Sequence, residues 1–311
     1  FRFFYRIFGI SDTSDLIRTK PITTTTQKPT QRTTPTTIIR EISIPSHNLT
    51  CGFTSESNGK HRNKRVIGGY QAPRNFYPYI ASIRKYEDHS CGATLIHPKF
   101  LLTAAHCFAE GEHYSRFAIV LGEWDKSKKD LNEQRNYIKT IHVHPQYIAK
   151  TLHHDIAIIE LRTPAKMNNN IAIACLPSKD FDYYPGRHCM VKGWGSMENA
   201  NINYPRRLQI GIVPIIDHET CIKSSQEYRA VARSQFCAGY SEGGVDTCGG
   251  DSGGPFVCQE SNGALTVVGV TSWGEGCAEK SHPGVYTKVS SYIDWIERIL
   301  KYTKKLVVVT Q

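Results

Sequence analysis

Three short segments of this 311-residue chain carry side chains that together can perform nucleophilic catalysis. His106 lies in Thr-Ala-Ala-His-Cys, Asp155 begins Asp-Ile-Ala-Ile, and Ser252 lies in Gly-Asp-Ser-Gly-Gly. A serine hydroxyl is a poor nucleophile at neutral pH unless a neighbouring imidazole accepts its proton during the attack. A carboxylate behind the imidazole holds the useful tautomer and stabilises the imidazolium that forms. We therefore predict Ser252 as the nucleophile, His106 as the general base and then acid, and Asp155 as the orienting carboxylate.

The order of these segments along the chain, His then Asp then Ser, is that of chymotrypsin-type enzymes. The segment from Arg65 to about residue 300 resembles a trypsin-like serine protease, and the chain resembles the zymogen of a secreted cascade protease with a disulfide-tethered light chain. The resemblance implies an all-β fold of two six-stranded antiparallel β-barrels, with the active site between them and a C-terminal α-helix. It also implies an oxyanion hole formed by the backbone N–H groups of Gly250 and Ser252.

The residue pattern of this region independently favours strands. Short β-branched and aromatic runs alternate with Gly, Pro and Asn clusters, which is typical of a barrel or a sandwich. The runs cover residues 117–121, 156–161, 208–213, 265–272 and 284–289. Near the end of the chain, residues 291–294 match a capping box and begin an apolar stripe, so they predict a helix that packs on a barrel. The stripe consists of Tyr292, Trp295, Ile296, Ile299 and Leu300.

The resemblance implies that a pocket with Asp246 at its base, six residues before Ser252, receives the side chain that precedes the scissile bond. A buried carboxylate without a partner is costly, so an incoming guanidinium or ammonium is strongly favoured. Gly274 and Gly284 fall at the two wall positions and leave space for a long side chain, and Thr247 lines the same pocket. We therefore expect cleavage after Arg or Lys.

Neighbouring positions are expected to contact the substrate backbone and to support the catalytic residues. Ser272, Trp273 and Gly274 resemble the segment that pairs with the substrate as an added strand. Ser272 is also expected to hydrogen-bond Asp155 from behind. Gly249 departs from the longer polar residue that is common at this pocket rim, which leaves the extended specificity open.

The segment Arg65-Val66-Ile67-Gly68-Gly69 resembles the activation junction of a trypsin-like zymogen. The resemblance implies that cleavage after Arg65 frees the amine of Val66, which turns inward and pairs with Asp251. That ion pair would order the oxyanion loop and the pocket. Residues 61–65 are basic enough to be cut by a convertase or another trypsin-like protease, and Arg65 also suits the pocket of the enzyme itself.

Ten cysteines without metal-type spacing indicate disulfides and an oxidising compartment. The sequence alone leaves many pairings open, but the resemblance implies one of them. Its pairs are Cys51–Cys175, Cys91–Cys107, Cys189–Cys258, Cys221–Cys237 and Cys248–Cys277. The first pair would tether the leader to the catalytic domain after cleavage.

We divide the chain into a Thr/Pro-rich leader or stalk (1–50), a light-chain remnant with the activation peptide (51–65) and a peptidase domain (66–311). The leader cannot bury a core, so we expect it to be disordered, either as an O-glycosylated stalk or as an unmodified linker. Asn48 begins an N-glycosylation sequon. The first ten residues lack an initiator Met and are broken by two arginines, so they match neither a signal peptide nor a membrane span. We interpret the sequence as a fragment or a processed form.

The net charge of +10 comes mostly from the leader and not from the peptidase region. Residues 1–65 contain 11 Lys and Arg against 4 Asp and Glu, whereas the remaining residues contain 27 against 24. Without an RNA-binding or zinc-ligand signature, this excess does not predict a nucleic-acid partner. Membrane attachment is not indicated either.

Catalysis by a serine triad requires no cofactor, but one acidic loop suggests a structural calcium ion. Several trypsin-like enzymes bind calcium through carboxylates and carbonyls in the corresponding loop. Three lysines dilute the negative charge, so an ordinary solvated loop is the alternative. The candidate ligands are Glu123, Asp125, Asp130 and Glu133.

These features predict a secreted serine endopeptidase zymogen of a regulatory proteolytic cascade. Its expected partners are protein substrates with Arg or Lys before the scissile bond, an activating protease and a protein inhibitor. The tethered leader and the stalk favour this prediction over a digestive trypsin. A catalytically inactive homologue that acts as a binding or cofactor protein is the other alternative, although no triad residue is missing.

Overall fold

A computed structural model describes residues 51–52, 69–108, 113–196, 204–247 and 249–302. Several predicted features therefore lie outside the described residues. They are the leader with Asn48, the junction at Arg65 and Val66, and Cys248.

Thirteen β-strands, all paired antiparallel, make up most of the regular structure of the described residues. They are β1 (Tyr70–Gln71), β2 (Ile80–Lys85), β3 (Asp88–His97), β4 (Phe100–Thr103), β5 (Phe117–Leu121), β6 (Gln134–Val143), β7 (Ala157–Leu161), β8 (His188–Gly193), β9 (Gln209–Ile216), β10 (Gln235–Ala238), β11 (Pro255–Gln259), β12 (Leu265–Trp273) and β13 (Gly284–Lys288).

The first barrel consists of six strands in the order β2-β3-β4-β7-β6-β5, closed between β2 and β5. A barrel of this size has an interior that side chains fill completely. Its core is made of aliphatic and aromatic residues such as Ile83, Leu95, Leu101, Phe117 and Ile159, all of which are buried. Closure leaves this sheet without a free edge along which another chain could add.

The second barrel has the order β9-β10-β13-β12-β11-β8 and closes through pairing of β8 with β9. The short strand β1 adds to β9, where Tyr70 faces Ile210. Three aromatic rings fill the centre of this barrel. The ring centroids of Phe256 and Tyr286 are 4.6 Å apart, and those of Phe236 and Tyr286 are 5.4 Å apart. The expected fold class of two six-stranded antiparallel barrels is confirmed.

The two barrels share a third cluster of buried side chains, which includes Tyr79, Phe100, Trp194 and Val267. A backbone hydrogen bond also crosses from one barrel to the other, because the N–H of Gly92 donates to the carbonyl of Ser252 at 2.8 Å. Ser252, in the loop between β10 and β11, therefore lies directly against strand β3 of the first barrel.

Among the described residues, two short α-helices, α1 (His218–Ile222) and α2 (Ile293–Tyr302), lie outside the barrels. Asp217 caps α1 by accepting a hydrogen bond from the N–H of Thr220. The C-terminal helix packs the predicted apolar stripe on the core, with Ile293 and Ile296 buried. Neither helix has the length and apolar character needed to cross a membrane, as judged over the described residues.

Four disulfides have both cysteines among the described residues, and they are the pairs that the resemblance implies. They are Cys51–Cys175, Cys91–Cys107, Cys189–Cys258 and Cys221–Cys237. Cys277 is also disulfide-bonded. The pair expected for it, with Cys248, lies partly outside the described residues.

Candidate active site

His106 and Asp155 meet at one end of the first barrel. His106 lies in a single turn of 3-10 helix, Ala105–Cys107, after β4, and Asp155 precedes β7. The Nδ1–H of His106 donates to Asp155 Oδ2 at 2.7 Å, and the N–H of His106 donates to Oδ1 at 2.9 Å. Ser272 from β12 donates its hydroxyl to Oδ2 at 2.6 Å, which is the contact expected from the sequence. The fully buried carboxylate thus fixes the tautomer and the orientation of the imidazole.

The turn around Ser252 requires glycine at two positions. Gly250 and Gly253 have φ values of 99° and 74°, in a region that other residues rarely adopt. A Cβ on Gly253 would lie 2.6 Å from the carbonyl oxygen of Gly92, so the turn could not approach the first barrel. Asp251 is held on the other side, where its Oδ1 accepts a hydrogen bond from the N–H of Gly195 at 2.8 Å. These contacts fix the backbone that carries the N–H groups of Gly250 and Ser252.

Asp246 lies in a partly buried position beside Gly284 and Thr247. Its Oδ1 accepts the N–H of Thr247 at 2.7 Å and a longer contact from the Tyr286 hydroxyl at 3.5 Å. Burial raises the pKa of Asp246 to about 7, because the charged form loses the solvation that water provides. A Cβ on Gly284 would be 2.6 Å from this oxygen, whereas a Cβ on Gly274 would have no neighbour nearer than 3.8 Å. The absence of side chains at the two wall positions therefore leaves Asp246 approachable.

Comparison with known proteins decides the family. A family model described as Trypsin matches residues 66–296. The chain is 38% identical to anionic trypsin of Bos taurus over 236 residues, which are 76% of this chain and 90% of that protein. It is also 38% identical to trypsin of Sus scrofa, over 76% of this chain and 96% of that protein. The chain belongs to the trypsin family.

The protein is thus a trypsin-like serine endopeptidase. A further relative is transmembrane protease serine 9 of Rattus norvegicus, which is 37% identical over 79% of this chain. The match spans only 23% of the length of that relative. The family implies that the protease acts on protein substrates and needs no cofactor for catalysis.

His89 is a partly buried residue beside the active site of the protease that we did not predict from the sequence. Its Nε2–H donates to the carbonyl oxygen of Gly250 at 2.8 Å, and its Nδ1 accepts the hydroxyl of Ser82 at 2.8 Å. Desolvation lowers the pKa of His89 to about 4, so the ring is neutral at pH 7. The residue fixes the peptide plane that follows Gly250. No spacing in the sequence marks this role, because the hydrogen bond spans 161 positions of the chain.

Trp273 ends β12 and packs against Tyr228, with ring centroids 5.1 Å apart. Gly249, at the pocket rim, has open space around it, since an added Cβ would meet only the Tyr204 hydroxyl at 4.0 Å. The segment expected to pair with substrate, Ser272 to Gly274, begins within β12 and ends at Gly274, one of the two wall positions of the Asp246 pocket.

The acidic loop after β5 does not have the donor arrangement of a calcium site. Arg84 forms an ion pair with Glu123, and Arg74 forms another with Asp130. Asp125 accepts a hydrogen bond from Ser127, and Glu133 accepts one from the N–H of Asp130. Within the described residues, no three of these carboxylates bring ligand oxygens within 4.8 Å of one another, so they do not converge on a common point for a cation. In the part of the chain that the structure describes, one group of three side chains has potential metal-ligating atoms close together, namely Cys91, His106 and Cys107. The two cysteines of this group form a disulfide with each other.

Proposed function

We propose that the protease is a secreted zymogen that, after cleavage between Arg65 and Val66, hydrolyses peptide bonds after Arg or Lys in a regulatory proteolytic cascade. The observation that carries the substrate preference is Asp246, a partly buried carboxylate beside two glycine wall positions, Gly274 and Gly284. A carboxylate whose pKa is raised by burial gains most from a cationic partner. The relatives named trypsin support the same preference.

In the proposed reaction, Ser252 Oγ attacks the carbonyl carbon of the scissile bond while His106 takes the hydroxyl proton. The carbonyl oxygen becomes an oxyanion and is stabilised by the N–H groups of Gly250 and Ser252. His106 then gives the proton to the leaving amine, and an acyl-enzyme remains on Ser252. Water, activated by His106, attacks this ester in the same way and releases the carboxylate product. Asp155 holds the imidazole in place and stabilises it while it is charged.

Activation is proposed to depend on an ion pair between the new amine of Val66 and Asp251. Asp251 and Gly69 line one cavity of about 70 Å³, together with Asp246. Three residues of extended chain span about 10 Å, so the Val66 amine is within reach of this cavity from Gly69. An amine at Asp251 would order the oxyanion turn and the pocket together.

The three-part division into residues 1–50, 51–65 and 66–311 is part of the proposal, as is secretion. The disulfides support an oxidising compartment. The bond between Cys51 and Cys175 would keep the 51–65 segment attached after cleavage, which favours a cascade protease over a digestive trypsin. We propose an activating trypsin-like protease and a protein inhibitor as partners. We propose no calcium at the Glu123 loop, because arginines pair with three of its four carboxylates.

The substrate preference is tested with a panel of peptide amides that differ only in the residue before the scissile bond. The chain is cut to expose Val66, the activating protease is removed, and turnover of the Arg, Lys, Phe and Glu amides is compared. We expect turnover of the Arg and Lys amides alone, and none in Arg65→Gln treated in the same way. Equal turnover of the Phe amide would contradict the proposed pocket, and full activity of Arg65→Gln would contradict the proposed junction.

A further inference from the structure

Lys126 lies in the loop after β5 and reaches the residues that hold Asp251. Its Nζ donates a hydrogen bond to the carbonyl oxygen of Trp194 at 3.4 Å. The N–H on the other side of the same peptide group, that of Gly195, donates to Asp251 Oδ1 at 2.8 Å. This peptide group thus has a cation at its oxygen and a carboxylate at its nitrogen. Charges in these positions polarise the peptide and strengthen both hydrogen bonds.

A second contact connects Lys126 to the oxyanion turn itself. Its ammonium lies 5.7 Å from the centroid of the Tyr204 ring, within the range of a cation–π interaction. The Tyr204 ring lies directly against Gly250, since a Cβ on Gly250 would be 3.3 Å from Tyr204 Cε1. Lys126 therefore contacts the two groups that border the turn, one beside Asp251 and one beside Gly250.

The backbone of Lys126 is fixed, and its side chain is less exposed than those of the neighbouring lysines. Its N–H donates to the carbonyl of Arg206 at 2.8 Å, and the side chain is half-buried. Lys128 and Lys129, in the same loop, are exposed. Burial lowers the pKa of Lys126, whereas the nearby carboxylates of Glu123 and Asp251 raise it, as expected for an ammonium between two acids.

We propose that Lys126 is a positioning residue of the oxyanion hole in this protease. By holding the Trp194–Gly195 peptide and the Tyr204 ring, it keeps Asp251 and the N–H groups of Gly250 and Ser252 in their productive arrangement. The inference rests on the proposed function, because it concerns the same oxyanion hole. It adds a charged group to the contacts that the first barrel makes with the oxyanion turn through His89 and Gly92.

The test compares Lys126→Ala, Lys126→Gln and Lys126→Arg with the matched surface variant Lys128→Ala, all cut to expose Val66. A peptide aldehyde ending in arginine forms a hemiacetal with Ser252 and places an oxygen in the oxyanion hole, whereas benzamidine fills only the Asp246 pocket. For Lys126→Ala and Lys126→Gln we expect kcat and aldehyde affinity to fall by the same factor, about three- to tenfold, as for loss of one weak charged hydrogen bond. KM and benzamidine affinity should stay unchanged. Lys126→Arg should restore most of the loss, and Lys128→Ala should match the unsubstituted protease.

Two results would overturn the role of Lys126. The first is an unchanged kcat and aldehyde affinity in Lys126→Ala. The second is an equal loss of benzamidine and aldehyde affinity, which would show general damage to the site. All values are expressed per titrated active site, so a difference in the folded fraction does not affect them. Failure of the unsubstituted protease to hydrolyse Arg amides would instead contradict the proposed function, so the two failures are distinguishable.

Discussion

Three carboxylates of the active-site region have different partners, which suit them to different roles. Asp155 is bound on both oxygens by His106 and Ser272. Asp251 accepts the N–H of Gly195 and lies beside the cavity that the Val66 segment enters in our proposal. Asp246 receives backbone N–H groups and no cation from the protein among the contacts of the described residues, and burial raises its pKa to about 7. It is therefore the carboxylate left for a substrate cation.

The raised pKa of Asp246 predicts a pH dependence of inhibitor binding. A benzamidine cation binds the ionised carboxylate, and the free enzyme must release the proton of Asp246 before it binds. Affinity should thus rise with pH up to about 7 and then level off, and below pH 7 it should fall by about tenfold per pH unit. Calorimetric titration of benzamidine between pH 5 and pH 9, at constant ionic strength, measures this without any contribution from turnover.

Asp246→Ser is the matched variant for this measurement. Its affinity for benzamidine should be weak and independent of pH, because the titrating group is gone. A flat profile in the unsubstituted protease, or a retained pH step in the variant, would show that Asp246 is not the group that binds the cation.

At the scale of elements, the loop after β5 is held by ion pairs with three arginines from other parts of the chain, among them Arg207, which pairs with Asp125. Arg84 of β2 reaches Glu123, whose side chain has no exposed surface, and Arg74 reaches Asp130. Asp130 also accepts the N–H groups of Trp124 and Asp125 at 2.7 Å each. Most carboxylate oxygens of the loop thus have a donor within the protein, whereas Glu123 Oε2 is buried without a hydrogen bond among the described residues.

Substitution of Arg84 should therefore lower the free energy of unfolding more than treatment with a calcium chelator. Arg84→Ala leaves Glu123 buried without its cation, so the free energy of unfolding should fall by about 3–5 kcal/mol in urea. EDTA should leave the urea midpoint of the unsubstituted protein unchanged. Arg135→Ala is the control, because its partner Glu87 is exposed and this pair should contribute little. A midpoint lowered by EDTA, or an unchanged midpoint in Arg84→Ala, would contradict this account of the loop.

Elements rich in apolar residues could be predicted from the sequence, and others could not. The run at residues 117–121 is strand β5, and the run at 265–272 matches β12 apart from its last residue. Strand β8 was not predicted, because it contains a charged residue in a buried position. Lys192 of β8 is buried with its Nζ 2.6 Å from the Tyr79 hydroxyl and 4.4 Å from the centre of the Tyr77 ring. Only the fold brings these distant aromatic partners to the lysine.

For the whole molecule, the site is shared between two barrels that are joined by specific hydrogen bonds. His106 and Asp155 belong to the first barrel, and Ser252 follows the strands that begin the second. The bond from Ser272 to Asp155 and the bond from Gly92 to Ser252 cross between them. The motif order predicted that His106 and Asp155 would meet, and they do. The sequence could not predict His89 or Lys126, since their partners are known only once both barrels are in place.

The most direct test of the central claim is a burst titration of the active site. The titrant is a nitrophenyl ester of a guanidino-acid, whose cation fits the Asp246 pocket and whose acyl group transfers to Ser252. We predict no burst from the uncut chain, one equivalent of nitrophenol per chain after cleavage between Arg65 and Val66, and no burst from cut Ser252→Ala. A full burst before cleavage would contradict the zymogen, and a burst from Ser252→Ala or none from the cut chain would contradict the proposed catalytic site.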